Sequence, residues 1–306
     1  MNTLAPLPVG AAARIVYFGT PDVAVAPLRA LYAAGVRVEL VITRPNTRRG
    51  RGSEVTPSPV KQAAIELGIP VSHDLADAVV LASGDDVLGV VVAYGRLLPM
   101  TLLSVMPMVN VHFSLLPRWR GAAPVERALL AGDRTTGVCI MRVVEALDMG
   151  EVFRRAEVEI RPDDNVNTLR GRLCARAIPL LIDVVCNGAG VGEPQVGEAT
   201  YASKITASDL AFDWTKPAEH LERITRVGVG FTKFRGKRLN IRGARMMDTS
   251  VSGAPGEFIE LASAGVIVGT GQGALCLLSV QPEGKPMLDA LGWSRGARLA
   301  PNELFG

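Results

Sequence analysis

Asn110 and His112 stand two residues apart in a stretch, residues 109–113, whose residues alternate as in a short strand. Side chains two apart on a strand share a face, so a hydrogen-bond donor sits beside a group that exchanges protons near neutral pH. Such a pair suits a reaction in which one group takes a proton while its neighbour holds a developing negative charge. The same triplet also fits a strand end whose imidazole is satisfied by backbone, and the spacing leaves both readings open. His112 is one of three histidines, with His73 and His220. The chain runs on through Ser114-Leu-Leu-Pro-Arg-Trp-Arg-Gly121 to Pro124, a kinked apolar segment followed by a cationic turn. A third polar group, Asp148, lies in residues 145–151, where Gly150 marks a turn after a strand-like run. A lone loop aspartate is usually a cap or a solvated charge.

The elements that must position these residues begin in βαβ order. Residues 14–18 are a continuous apolar run closed by Gly19-Thr20-Pro21, the segment to Ala34 has a helical apolar period, and residues 36–43 give a second strand. This start predicts a mainly parallel sheet covered on both faces, with ligands bound beyond the carboxyl ends of its strands. The Gly19 turn has neither GxGxxG nor GxxxxGK[ST] spacing, which argues against a dinucleotide or P-loop site. Ser58 caps and Pro59 opens a helix to about Leu67, stopped by Gly68. The β-branched run 87–93 belongs at the sheet centre and ends in a loop, residues 94–99, on the ligand edge. A helix near residues 100–106 carries methionines better read as core than as cofactor contacts. Further helix is expected at 126–131 and 168–186, and strand at 137–143 and 153–160. A Gly-rich stretch, residues 187–194, then closes a first domain. Beyond it a helix at 217–226 precedes short strand-like pieces at 232–234, 238–242, 256–261, 265–270 and 274–280, which suggest a small barrel. The expected division is a domain of residues 1–195, a linker of residues 196–210 and a second domain of residues 211–306.

Composition narrows the class. With 48% hydrophobic and 21% charged residues the 306-residue chain reads as an ordinary globular protein. Cys139, Cys174, Cys186 and Cys276 are scattered without CxxC spacing, so neither a disulfide framework nor a metal site is expected. The first dozen residues are too short for a signal peptide, and no apolar run reaches spanning length. A cytoplasmic, monomeric enzyme is the expectation. Residues 201–306 hold 13 Lys+Arg against 10 Asp+Glu, which leaves 20 against 20 of the total 33 and 30 for residues 1–200. From Arg223 to Arg245 there are eight basic residues and no acidic one, a bias that attracts polyanions. The loop of residues 44–52 adds Arg44, Arg48, Arg49 and Arg51 immediately after a strand, at an edge where a phosphate backbone would dock.

Taken together, Gly19-Thr-Pro-Asp22, Gly50-Arg-Gly52, Thr56-Pro-Ser-Pro-Val-Lys61, Ala93-Tyr-Gly95, Asn110-x-His112-x-Ser-Leu-Leu-Pro-Arg-Trp-Arg-Gly121, Leu147-Asp148-x-Gly150 and Tyr201-Ala-x-Lys204 resemble the methionyl-tRNA formyltransferases. These belong to a wider class of enzymes that use 10-formyltetrahydrofolate. The Asn, His and Asp trio is shared by the class; residues 114–124, residues 56–61 and the basic barrel select the tRNA enzyme. The resemblance implies an α/β fold, with a Rossmann-like formyltransferase domain of mainly parallel sheet followed by a small OB-like β-barrel. It implies 10-formyltetrahydrofolate as donor, the acceptor stem of initiator Met-tRNA as partner, and no metal. The implied catalytic set is Asn110 for the oxyanion, His112 for the amine proton and Asp148 to fix the imidazole and raise its basicity. The implied donor site comprises Ala93, Tyr94, Gly95, Leu97, Leu98, Ser114, Leu115, Leu116, Pro117, Glu145 and Leu147, with Leu97 and Leu98 bordering the pterin. The implied tRNA contacts are Arg44, Arg48, Arg49, Arg51, Lys204, Lys233, Arg235, Lys237 and Arg238, with Arg51 matching the key arginine of the family's inserted loop.

The chain departs from the family at Phe113, where a small residue is common, at Glu151, at Arg44 and Asn46, and at Val227-Gly-Val-Gly230 in place of Pro-Trp-Pro-Gly. None of these touches the catalytic trio. Two other readings stand beside this one: a formyltransferase acting on a sugar amine or another small amine, and an RNA-binding module without catalysis. The arginine loop and basic barrel argue against the first, and the trio argues against the second.

Overall fold

The computed structural model describes residues 3–48, 55–82, 87–247, 251 and 253–306. In chain order, β1 (Arg14–Gly19), α1 (Val25–Ala33) and β2 (Val38–Ile42) are followed by the two-residue strands β3 (Thr47–Arg48) and β4 (Val55–Thr56). Next come α2 (Pro59–Glu66), β5 (Val71–Ser72), α3 (Leu75–Ala82), β6 (Val87–Val92), α4 (Met100–Leu103) and β7 (Met108–His112). They lead to β8 (Arg120–Gly121), α5 (Pro124–Ala131), β9 (Thr135–Arg142), β10 (Val152–Glu159), α6 (Val166–Asn187) and β11 (Tyr201–Ala202). The remainder holds α7 (Ala218–Val227), β12 (Gly230–Phe234), β13 (Lys237–Met246), β14 (Phe258–Ala262), β15 (Gly265–Gly269), β16 (Ala274–Pro282), β17 (Leu288–Asp289) and α8 (Ala290–Ala297).

The chain forms two compact units. The first comprises Met1–Val125, Arg134–Ile160 and Asn167–Ser203, and the second Glu126–Asp133, Arg161–Val166 and Lys204–Gly306. The second unit therefore takes two segments that interrupt the first along the chain, which hydropathy along the sequence does not show. Arg127 explains one of them: its guanidinium pairs with Asp209 at 2.7 Å. Arg226 explains the other, donating to the carbonyls of Asp164 and Arg161.

The first unit is built on a seven-stranded sheet in the order β10-β9-β7-β6-β1-β2-β5. All six residues of β6 are buried, as the unbroken β-branched run requires of a strand covered on both faces, and β6 lies fourth of seven. Strands β7, β6, β1, β2 and β5 are parallel, whereas β9 runs antiparallel to β7 and β10 antiparallel to β9. The direction of strand addition reverses between β1 and β6, the point at which open α/β sheets leave a crevice. There Thr20 donates its hydroxyl to the Tyr94 carbonyl at 3.2 Å, joining the loops that follow the two strands. Helix α2 begins as expected, with the Ser58 hydroxyl accepting from the Lys61 amide and Pro59 at its first position.

The second unit carries an antiparallel sheet whose path is β12-β13-β16-β15-β14, with β17 on β16. Near the chain end Phe305 bridges Phe234 and Leu304 bridges Glu257, so the tail joins β12 to the start of β14 and closes the sheet toward a barrel. Its core gathers Trp214, Leu221, Ile241, Val268, Leu277 and Trp293. The β12–β13 hairpin turns through Arg235 and Gly236, both at positive φ (47° and 74°), the geometry a two-residue turn of this hand needs.

Candidate active site

His112 is the last residue of β7 and Asn110 lies two residues earlier, so the two share a face of the strand. The imidazole is 5% exposed. Its Nε2 lies 2.8 Å from the Trp119 carbonyl oxygen, which can only accept, so Nε2 carries the hydrogen and donates it. The second nitrogen, Nδ1, faces Asp148 Oδ2 at 3.6 Å, with the carboxylate side chain 9% exposed. Both readings left open by the spacing thus meet in one residue: backbone satisfies one nitrogen, and the other looks at a carboxylate. At 3.6 Å the pair has no hydrogen bond, and a proton arriving on Nδ1 would lie between imidazole and carboxylate.

Asp148 reaches this place by an indirect path. In the β7–β9 register Arg142 lies opposite Val109 and Cys139 opposite His112, so the loop leaving β9 starts about 10 Å short of the histidine at 3.4 Å per residue. It must fold back along the sheet. Asp148 sits at φ +53°, a conformation aspartate tolerates better than most residues. Its Oδ2 accepts from the Gly121 amide at 2.8 Å. Gly150 packs so tightly that a Cβ there would lie 2.0 Å from the Arg142 carbonyl oxygen.

Three consecutive residues hold this arrangement. The Trp119 carbonyl binds His112, the Arg120 guanidinium binds Gln195, and the Gly121 amide binds Asp148. They are in turn stitched to residues 200–202. Thr200 accepts from the Trp119 amide through its hydroxyl and from the Arg120 amide through its carbonyl, each at 2.9 Å, and Ala202 accepts from Ala122 and Ala123. Strands β8 and β11 pair in parallel as part of this seam. The stretch that composition reads as the end of a domain and the start of a linker is thus a wall of the site. Gln195 and Thr200 were missed because a single glutamine or threonine has no motif, while Ala202 was read only as part of the Tyr201-Ala-x-Lys204 stretch, since a two-residue strand has no periodicity.

The region expected to hold the donor is only partly of the expected composition. Ala93 and Gly95 both have positive φ (48° and 78°), turning the chain sharply after β6. The Tyr94 side chain is 2% exposed, with its ring edge-on to Phe18, and burial pushes its phenol upward. The Tyr94 side chain is therefore committed to the core. Leu97 is exposed, while Leu98 packs on the core cluster of β1, β2 and β6. A pocket of about 500 Å³ is lined by Leu4, Met100, Val144, Glu145 and Ala146. Glu145 was expected there and Leu147, though exposed, is not part of its lining; Leu4, Met100 and Val144 were not foreseen. Leu4 is placed by an N-terminal arm tied through the Ala5 amide to the Leu103 carbonyl and through the Ala5 carbonyl to Arg142.

Ser114, Leu115, Leu116 and Pro117 also take part in the packing of the turn. The fully buried Ser114 donates its hydroxyl to the Arg118 carbonyl at 2.6 Å. Leu116 packs with Cys139, Met141 and Val152, Leu115 fills the space above Gly137, and the Pro117 carbonyl accepts from Thr200. Their apolar character serves the interior of the turn.

The chain matches the family model described as formyl transferase over residues 13–185, and that described as formyl transferase, C-terminal domain, over residues 204–298. It is 39% identical to the methionyl-tRNA formyltransferase of Heliobacterium modesticaldum over 316 residues, 96% of this chain and 100% of the relative. With the methionyl-tRNA formyltransferase of Jannaschia sp. it shares 40% identity over 95% of this chain and 99% of the relative. The chain belongs to the methionyl-tRNA formyltransferase family. Solved structures share its fold at lower identity. The sugar 3N-formyl transferase WlaRD, in the presence of dTDP and 5-N-formyl-THF, has a TM-score of 0.65 at 14% identity, covering 90% of this chain and 100% of that one. HypX from Aquifex aeolicus in complex with tetrahydrofolic acid has a TM-score of 0.62 at 16% identity, covering 93% of this chain but 47% of HypX.

Among the basic residues that the family resemblance singles out, Arg44, Lys204, Lys233, Lys237 and Arg238 are exposed. Lys233 and Arg238 are register partners on the β12–β13 hairpin, and the Arg238 guanidinium lies 3.7 Å from the Phe231 ring centre. Arg235 differs from them. It pairs with Glu303 and donates to the Ala297 carbonyl at 2.8 Å, so its charge is committed to holding the chain end. Arg49, Arg51 and the side chain of Arg48 lie outside the described residues.

Proposed function

We propose that the chain transfers the formyl group of 10-formyltetrahydrofolate to the amino group of methionine on initiator Met-tRNA, using Asn110, His112 and Asp148. The observation that carries this reading is the His112–Asp148 pair, buried at the end of β7 in a chain related to methionyl-tRNA formyltransferases over nearly its whole length. In this reading the acceptor arrives as an ammonium and must lose a proton before its nitrogen can attack. The His112–Asp148 pair takes that proton, which comes to rest on Nδ1 beside Oδ2. Trp119 keeps Nε2 occupied throughout, so proton exchange is confined to one nitrogen. Asn110 donates its amide to the formyl oxygen as charge builds there, and because the amide is preset by β7 it costs no reorganisation. As the new nitrogen–carbon bond forms and the bond to N10 of the donor breaks, the second amine proton leaves with tetrahydrofolate.

The pocket lined by Leu4, Met100, Val144, Glu145 and Ala146 has the size of a small-molecule site. Its mixture of apolar wall and a carboxylate at Glu145 suits a flat heterocycle with N–H donors, which is the chemistry of a pterin. In this reading the head of the donor lies there, against the backbone of residues 93–98. In this reading residues 1–195, apart from the segments 126–133 and 161–166 that belong to the second unit, form the catalytic domain and residues 211–306 the tRNA-binding domain, joined by residues 196–210, of which 196–203 also serve the site. Arg44, Arg48, Arg49 and Arg51 meet the acceptor end, and Lys204, Lys233, Lys237 and Arg238 meet phosphates further along.

The test is an assay with 10-formyltetrahydrofolate and charged Met-tRNA, with uncharged tRNA and a free amino sugar as controls. Formyl-methionyl-tRNA as the sole product supports the reading, and formyl on the sugar but not on the tRNA overturns it.

A further inference from the structure

The side-chain amide of Gln195 uses all of its hydrogen-bonding capacity within the active-site wall. Its Oε1 accepts from Arg120 Nε at 3.0 Å and Nη2 at 2.7 Å. Its Nε2 donates to the carbonyls of Asp148 and Gly150, each at 2.8 Å. An amide offers two donors and two acceptor lone pairs, so all four are spent. Arg120 is 8% exposed, and it directly precedes Gly121, whose amide holds Asp148 Oδ2. Asp148, Gln195, Arg120 and Gly121 thus close a ring of contacts around the residue that faces His112. The ring clamps Asp148 at both its backbone and its carboxylate while its φ is +53°, a conformation that persists only when the surroundings fix it.

We infer that Gln195 is a positioning residue for formyl transfer: through Arg120 and the Asp148 and Gly150 carbonyls it sets the distance between Asp148 and His112 Nδ1. This rests on the reading of Asp148 as part of the proton-accepting pair. Gln195 supplies donors where the loop offers only carbonyl oxygens, and Arg120 fixes which end of the amide points at them. A glutamate of the same length keeps the Arg120 contact, as a stronger ion pair, but presents oxygens to two carbonyl oxygens. A carboxylate there pushes the loop away without emptying the space.

The experiment compares Gln195→Glu, Gln195→Met, Asp148→Asn and the double variant Gln195→Glu/Asp148→Asn in steady-state formylation of Met-tRNA, with thermal melting of each. Gln195→Glu is expected to melt near wild type and to lose about tenfold or more in kcat, with KM for donor and tRNA held within about twofold. Gln195→Met is expected to lose a similar factor in kcat. If Gln195 acts through Asp148, the double variant falls no more than about threefold below Asp148→Asn alone, because the two act as a unit. Wild-type kcat in Gln195→Glu, losses that multiply in the double variant, or a loss confined to KM would each overturn the inference. Near-normal turnover in Asp148→Asn would instead overturn the reading on which it rests, so the two failures are told apart.

Discussion

His112 and Asp148 face one another across 3.6 Å, too far for a hydrogen bond, while the other imidazole nitrogen donates to the Trp119 carbonyl. The arrangement inverts the familiar triad, in which the carboxylate takes the Nδ1 hydrogen and leaves Nε2 as the base. Here the vacancy is at Nδ1, and a carboxylate that also binds the Gly121 amide stands ready to share whatever proton arrives.

Asp148→Asn keeps the acceptor for Gly121 but removes the charge facing Nδ1. It is expected to lower kcat by about 100- to 10,000-fold, the range of a general acid–base contribution, while the fold and both KM values hold. Steady-state kinetics beside a melting curve check this; loss of folding instead of turnover would show that the carboxylate is structural.

Asn110→Ala removes the proposed oxyanion donor without disturbing β7, whose ladder is backbone. A fall of about 100- to 1,000-fold in kcat is expected. Single-turnover measurements with saturating donor and Met-tRNA separate this from a binding effect.

Gly150→Ala tests the return path of the loop. With the Arg142 carbonyl 2.0 Å from an added Cβ, the loop must shift, which costs about 1–3 kcal/mol of stability and displaces Asp148. Urea unfolding and kcat are expected to fall together in this variant.

These variants mark the limits of sequence reading. The Ser58 cap, the buried run of β6 and the placement of Asn110 and His112 on one strand face were legible because each is set by local chemistry and period. Helices α3 and α8 went unread, and the helix expected over residues 100–106 is a single turn at Met100–Leu103. The antiparallel course of β9 and the retreat of the Asp148 loop along the sheet depend on which strand lies next to β7, which no window of sequence contains. Gln195 acts on residues 47 and 75 positions away, and its type suggests nothing until those partners are in place.

The second unit carries its own pH dependence. Hydrogen bonds from the Arg127 guanidinium, and then from the Thr206 amide, hold the Asp209 carboxyl down at about 2 from an ordinary 3.8. A folded value below the unfolded one stabilises above pH 3.8, and that stability is lost as pH falls from 3.8 toward 2. The pair is partly exposed, so its worth is on the order of 1 kcal/mol after solvent screening. Asp209→Asn is expected to flatten the acid limb of a stability-versus-pH curve in that window and to lower stability at neutral pH. Denaturant titrations from pH 2 to 7 provide the comparison.

Lys237→Ala and Arg238→Ala remove exposed charge from the β12–β13 hairpin. Each is expected to weaken tRNA binding and to reduce the slope of log K against log salt by about one, leaving donor KM unchanged. Arg235→Ala is expected to act through stability, since Arg235 is engaged by Glu303.

The most direct measurement of the central claim is the pre-steady-state transfer of formyl from 10-formyltetrahydrofolate to Met-tRNA by wild type and His112→Ala. The account predicts rapid formyl-methionyl-tRNA formation by wild type and a loss of at least about 100-fold in the transfer step of His112→Ala, with both substrates still bound. Equal transfer rates, or formyl delivered to a free amino sugar in preference to Met-tRNA, would contradict it.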